Sequence, residues 1–166
     1  MYDSLDIARY VIDKMNELKF SISNLKLQKL LYYIQGLYIA SYDGKKYLFD
    51  DDFEAWDYGP AIPKVYREFK YNGASSIINT KISFFKRENG KIKHIESPFD
   101  KNVIDKDDRD FIDKVLEIMG GFTANQLVAR THSESPWRNT YHGRKMNSNI
   151  ISKELLFDYF KRYQNG

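Results

Sequence analysis

The sequence predicts a mainly α-helical α+β fold: a single compact helical domain over residues 1–166, with a small antiparallel sheet or β-hairpin at 81–95. Three observations carry this. Apolar residues recur at helical spacing in segments that open on Ser, Thr or Asp. One stretch switches to β-branched and aromatic residues around Asn89-Gly90. No internal repeat, low-complexity tract or proline-rich linker divides the chain.

The first helix spans Ser4 to Lys19, with Leu5, Ala8, Ile12 and Met15 on one face and Val11 and Leu18 widening it. Asp3 or Ser4 is its N-cap. A second helix begins after Ser23 and runs to about Ser41, with Leu27, Leu30, Leu31, Ile34, Leu37 and Tyr38 as a wide apolar face. That width makes it the central helix of the core. Gly36 inside it costs about 1 kcal/mol against alanine and points to a close helix crossing or an approaching backbone. Asp43-Gly44 turns the chain. Tyr47 to Phe49 and Phe53 to Tyr58 read as short extended pieces around Asp50-Asp51-Asp52, stopped by Gly59-Pro60. Pro63 fits the first turn of a helix that Asn72-Gly73 closes. After the hairpin, helices return at Asp107 to Met119, after the capping-box sequence Thr123 to Gln126, at Ser135-Pro136-Trp137 with Ser135 as cap, and after Ser152.

Composition narrows the function. With no cysteine, a disulfide framework, a thiolate metal site and a cysteine nucleophile are excluded, and a reducing cytoplasm is the expected setting. The N-terminus carries acids where a signal peptide carries basic residues, and no apolar run approaches the roughly 20 residues that span a membrane. The 26 basic and 23 acidic residues, net +3, interleave along most of the chain. A committed nucleic-acid binder concentrates its positive charge on one face or arm, so this interleaving argues against nucleic acid. Aromatic residues make up 16%, with 13 tyrosines. Tyrosine is enriched where proteins meet partners, and it also sits half-buried at core rims.

Signatures of chemistry are weak. No glycine-rich phosphate loop and no His-Glu-x-x-His helix is present. His132, Glu134 and His142 have the ligand types of a zinc site without a justified spacing; His132 more simply fixes local structure by bonding through both ring nitrogens. Ser133 and Ser135 beside His132 do not make a triad by adjacency alone. Asp50, Asp51, Asp52, Glu54 and Asp57 read either as a solvated corner or as a negative patch that steers a basic partner. Arg130, His132, Arg138, Arg144 and Lys145 form a basic grouping that could hold phosphate or an acidic protein surface. Gln28 and Gln35, with Tyr32 between them, lie seven apart on one side of the second helix, either as surface or as a buried, bonded seam; the strip is read as partner-facing.

Three blocks give a resemblance. Lys26-Leu27-Gln28-Lys29-Leu30-Leu31-Tyr32-Tyr33 with Gln35-Gly36 comes first, then Glu54-Ala55-Trp56 with Tyr58-Gly59-Pro60, then Thr131-His132 with Pro136-Trp137. In this order they resemble the Panacea domain, the SocA-like antitoxin family of bacterial and phage toxin–antitoxin systems. The resemblance covers about Leu5 to Tyr163 and is least diagnostic around Lys81 to Asp100. It implies an antitoxin that neutralises a protein toxin encoded by an adjacent gene, through direct contact, with a protease or chaperone as a further partner. It implies no cofactor and no catalytic residue. Leu27, Leu30, Leu31, Trp56, Gly59, Pro60, Thr131, His132, Pro136 and Trp137 are then scaffold. Gln28, Tyr32, Gln35, Asp50, Asp51, Asp52, Asp57 and Arg138 are the expected partner contacts. A nucleic-acid-associated prophage regulator acting through Arg130 to Lys145 is the alternative, and an enzyme using His132 the third reading.

Overall fold

The computed structural model describes residues 1–143 and 149–164. Seven helices are present among them: α1 Ser4–Glu17, α2 Asn24–Ser41, α3 Pro63–Phe69, α4 Lys106–Met119, α5 Ala124–Ser133, α6 Ser135–Arg138 and α7 Lys153–Phe160. Strands β1 Phe53–Trp56, β2 Gly59–Ala61 and β5 Ile150–Ile151 form an antiparallel sheet of order β2-β1-β5. Strands β3 Ile82–Glu88 and β4 Lys91–Ser97 form a separate hairpin, two residues longer at its end than the sequence suggested. Asn89 and Gly90 turn it at positive φ of 51° and 76°. The mainly helical α+β expectation is met.

Local chemistry fixes the helix starts. The Asp3 side chain accepts from Leu5 N, that of Ser23 from Lys26 N, and that of Ser152 from Leu155 N, each satisfying an amide that has no partner inside its helix. Thr123 and Gln126 close the expected capping box. Two expectations change. Gly59-Pro60 does not stop the extended segment. A turn at Asp57-Tyr58 reverses the chain, and Glu54 to Trp56 pair with Gly59 to Ala61. Ser135 opens α6 without a side-chain cap, because Glu134 occupies the cap position and its carboxylate turns inward.

Helix α2 is the axis of the core, with α1, α3, α4, α5, α7 and β2 packed around it. It is buried on all sides, which overturns the partner-facing strip: Gln28, Tyr32 and Gln35 are 2%, 0% and 1% exposed. The physical reason is that the segment from Leu48 to Ile62 wraps the side of α2 that those residues occupy. Gln35 donates to Phe49 O (2.7 Å) and accepts from Leu48 N (3.0 Å), while Gln28 accepts from Ile62 N (2.8 Å) and donates to Asn24 Oδ1 (3.0 Å). Both glutamines act as stand-in peptide groups that satisfy loop backbone in the interior.

Gly36 is where α7 crosses α2. An added Cβ would lie 2.2 Å from the ring of Phe160, itself 1% exposed. Gly36→Ala should therefore lower stability by about 1–3 kcal/mol despite the better helix propensity of alanine. A fall in urea midpoint at unchanged m-value would report it.

Candidate functional site

The three sequence blocks interlock physically. Lys29 of α2 donates to Pro60 O at 2.8 Å, and Gln28 holds the next turn of chain at Ile62. Gly59, at φ +98°, is the point of closest approach: a Cβ there would lie 2.7 Å from both Lys29 Cε and Thr131 Oγ1. Any side chain at this position would push α2 and α5 away from β2, and the positive φ adds backbone strain. Trp137 Nε1 donates to Trp56 O at 2.8 Å, tying the third block to the second. Its indole stacks between His132 (centroids 4.0 Å apart, planes 23°) and Tyr141 (4.5 Å, 15°), and the Tyr141 hydroxyl donates to Asp57 Oδ1 at 2.7 Å. His132 thus fixes its surroundings by stacking. Its Nε2 is buried with no partner among the described residues, so the expectation of bonds through both ring nitrogens fails.

Where α2, the β1–β2 hairpin and α3 meet, the surface opens into a cleft of about 790 Å³. Gln28 and Lys29 lie at its floor, Trp56, Tyr66 and Tyr141 along its walls, and Asp57, Tyr58 and Lys70 about its mouth. Tyr58 and Tyr66 are 65% and 40% exposed, and the Tyr66 ring meets Trp56 edge-on at 5.0 Å. Glu54 receives the Trp56 indole N–H at 2.7 Å, orienting that ring. Among the described residues the Lys29 ammonium has a single acceptor, Pro60 O, and its desolvation lowers its pKa from 10.5 to about 7. At neutral pH the floor of the cleft therefore bears a fractional positive charge.

Of the expected contact residues, Gln28 and Asp57 reach this cleft; the others do not. Tyr32 lies inside the core beside Tyr33, Phe53 and Phe160. Asp50 and Asp52 are joined to Lys153 of α7 (Asp52 Oδ1 at 2.9 Å), and Asp51 faces Lys64 of α3 at 3.9 Å, so the acidic corner is partly engaged in holding its own loop. Arg138 is exposed on α6 and donates to Ser133 O at 3.3 Å. Arg144 and Lys145 lie outside the described residues. Among those described, no group of three or more His, Asp and Glu side chains is placed to hold a metal ion. The zinc trio fails on geometry as well, because Glu134 accepts from the hydroxyls of Tyr33 (2.8 Å) and Tyr32 (3.1 Å) in the interior, with Arg130 Nε at 3.6 Å. Desolvation raises the Glu134 pKa, against the lowering effect of the tyrosine hydroxyls and Arg130.

Sequence reasoning passed over Lys29, Tyr66 and Tyr141 as site residues. A signal existed for Lys29: a cation inside the widest apolar helix must find an acceptor or a cavity. The tyrosine surplus also has a partly internal use. The hydroxyls of Tyr2 and Tyr38 bond Asp108 and that of Tyr10 bonds Asp113, fastening α1 and α2 to α4. No helix among the described residues is long and apolar enough to cross a membrane.

Comparison with known proteins agrees with this architecture. The family described as "Antitoxin SocA-like, Panacea domain" matches residues 27–138, which contain all three blocks except Lys26. The chain is 37% identical over 163 residues to Antitoxin SocA of Caulobacter vibrioides, covering 96% of this chain and 82% of that protein. No solved structure gives a significant match. The chain therefore belongs to the SocA-like antitoxin family defined by the Panacea domain.

Proposed function

We propose that this protein neutralises a cognate toxin, the product of an adjacent gene, by direct contact in the cytoplasm and without catalysis, and that the cleft between α2, the β1–β2 hairpin and α3 is where the toxin is gripped. The observation that carries the proposal is that the family's first two blocks line this one concavity, through Gln28, Lys29, Trp56 and Tyr58, while Trp137 of the third block holds Trp56 and Tyr141 from behind. Its lining is aromatic, with Trp56 and Tyr141 half-buried and Tyr58 and Tyr66 exposed, and aromatic residues of this kind dominate binding energy. An occupant that inserts an aromatic or aliphatic anchor between Trp56, Tyr58 and Tyr66, and brings a carbonyl or carboxylate oxygen to Lys29, fits the chemistry of the cleft.

Co-expression tests this. The neighbouring gene product should arrest growth alone and be tolerated with this chain. Tyr58→Ala combined with Tyr66→Ala should weaken binding to that product by about 10- to 100-fold, while stability falls by only about 1–2 kcal/mol, because Tyr58 is 65% exposed and Tyr66, at 40%, loses mainly its edge contact with Trp56. Full rescue by the double variant would remove the cleft from the proposal. A neighbour that is harmless alone would remove the proposal itself.

A further inference from the structure

The charge of this protein is not spread as its sequence suggests. The segment Lys81 to Ser97 carries Lys81, Lys86, Arg87, Lys91 and Lys93 against Glu88 and Glu96, a surplus of three, and the whole chain has a net charge of +3. The remainder of the chain is therefore electrically balanced, and all of its excess positive charge sits on one β-hairpin and the Lys81 that leads into it. The hairpin is also the least covered part of the fold. Residues 83–94 are all exposed, and among the described residues no helix or other strand packs on the hairpin to more than a marginal extent.

Pairing in the hairpin sharpens the point. Lys86 stands directly opposite Lys93 and Arg87 opposite Ile92, so cations project from both faces of the ribbon. Glu96 faces Lys81 at 3.8 Å and Glu88 faces Lys93 at 2.9 Å. Among the described residues no carboxylate comes within ion-pair distance of Lys86, Arg87 or Lys91; Glu88 stands opposite Lys91 in the ladder but bonds Lys93 instead. Like charges facing each other across a ladder are unfavourable in isolation, and a polyanion between or around them removes the penalty. Phe84 and Phe85 are 46% and 76% exposed, and the ring of Phe85 lies against His94 at 5.3 Å. Strands of seven residues extend about 24 Å, and a two-stranded ribbon fits the major groove of duplex DNA.

We propose that the β3–β4 hairpin is a nucleic-acid-binding arm that contacts backbone phosphates through Lys86, Arg87 and Lys91 and is separate from the cleft. Cation placement on both ribbon faces favours an occupant that surrounds the arm, as a groove does, over the flat acidic face of a protein. The Arg130 to Arg138 region is not needed for this contact. The excess charge, interleaved with acids elsewhere in the chain, sits on one arm, as a nucleic-acid binder requires.

The test is fluorescence anisotropy of the full chain with a labelled random-sequence DNA duplex of about 20 base pairs, with a single strand of equal length and with polyglutamate as comparison probes. Three phosphate contacts predict a salt slope of about −2.7, so affinity for the duplex should fall about 40-fold between roughly 50 and 200 mM salt. Combining Lys86→Glu, Arg87→Glu and Lys91→Glu should abolish duplex binding while toxin neutralisation and thermal unfolding are unchanged, because the hairpin supports no other element. Arg130→Gln with Arg138→Gln should leave duplex binding within about twofold of the wild type. No duplex binding at low salt, duplex binding retained by the triple variant, or binding to polyglutamate as tight as to DNA would each overturn the proposal. Preference for the single strand would overturn the groove geometry and assign the arm to base stacking on Phe84 and Phe85.

Discussion

Replacing Tyr32 with alanine should unfold the protein's centre, where a surface reading of the same residue expects only weaker partner binding. The ring is fully buried and makes edge contacts with Tyr33 (5.1 Å), Phe53 (5.8 Å) and Phe160 (5.4 Å). Truncating a core aromatic costs about 3–5 kcal/mol in transfer free energy and cavity. The hydroxyl adds a second loss. It donates to Glu134 Oε2 at 3.1 Å, and without it a buried carboxylate whose pKa is already raised by desolvation keeps Tyr33, Tyr159 and the longer Arg130 contact. An unsatisfied buried acceptor costs about 1–3 kcal/mol. The two terms overlap, so the expected total is about 4–6 kcal/mol, or a fall in Tm of roughly 10–20 °C for a domain of this size. Tyr32→Phe isolates the hydroxyl and should cost about 1–2 kcal/mol. Combined with Glu134→Gln, it should cost less than the two single changes summed, because both act on one network. Urea unfolding of the four variants checks this. A Tyr32→Ala protein as stable as the wild type would place the side chain outside the core.

The same residue shows what was legible in the sequence and what was not. Periodicity found every helix, and the start of α2 at Asn24 and its end at Ser41 agree with the sequence reading, because cap chemistry and apolar spacing are local. The hairpin was legible for the same reason: Asn89-Gly90 commits the backbone whatever surrounds it. The burial of Gln28, Tyr32 and Gln35 was not. A glutamine on a helix surface and a glutamine standing in for a peptide group look alike until the loop that needs those hydrogen bonds is placed, and that loop, Leu48 to Ile62, is fixed only by long-range packing. Asp57 was identified from its motif and does reach the cleft, whereas Tyr66 and Tyr141 arrive there from α3 and from the chain after α6 by tertiary folding alone. The excess charge of the hairpin stood in the sequence in plain view, but its isolation from the rest of the fold required the structure.

Lys29 should make the wild-type protein grow more stable as pH rises from about 7 to about 10. In the unfolded chain its ammonium titrates near 10.5; in the fold, 1% exposed, it titrates near 7 because burial penalises the charged form. Between those limits the unfolded state holds a proton that the folded state has lost, so stability climbs with pH by up to about 1.4 kcal/mol per pH unit. Across the whole interval this is on the order of 4–5 kcal/mol, and below pH 7 the full penalty of a buried charge is present. The rise ends near pH 10 for the opposite reason. The hydroxyls of Tyr10, Tyr33 and Tyr38 have raised pKa values in the fold, so the unfolded state loses their protons first and stability falls again. Lys29→Met keeps the length and apolar stem of the side chain and removes the titration. It should flatten the profile between pH 7 and 10 and be at least as stable as the wild type at pH 7, since an unpaired buried charge costs more than the lost bond to Pro60 O contributes. Lys29→Ala also removes the titration but leaves a cavity beside Gly59, and should be less stable than the methionine variant by about 2–3 kcal/mol at every pH. Persistence of the pH slope in Lys29→Met would assign it to another group. If the slope disappears in the methionine variant and binding of the toxin weakens with it, the ammonium at the floor of the cleft is one of the contacts the toxin uses, and the same burial that destabilises the free antitoxin would be relieved when the toxin supplies a second acceptor.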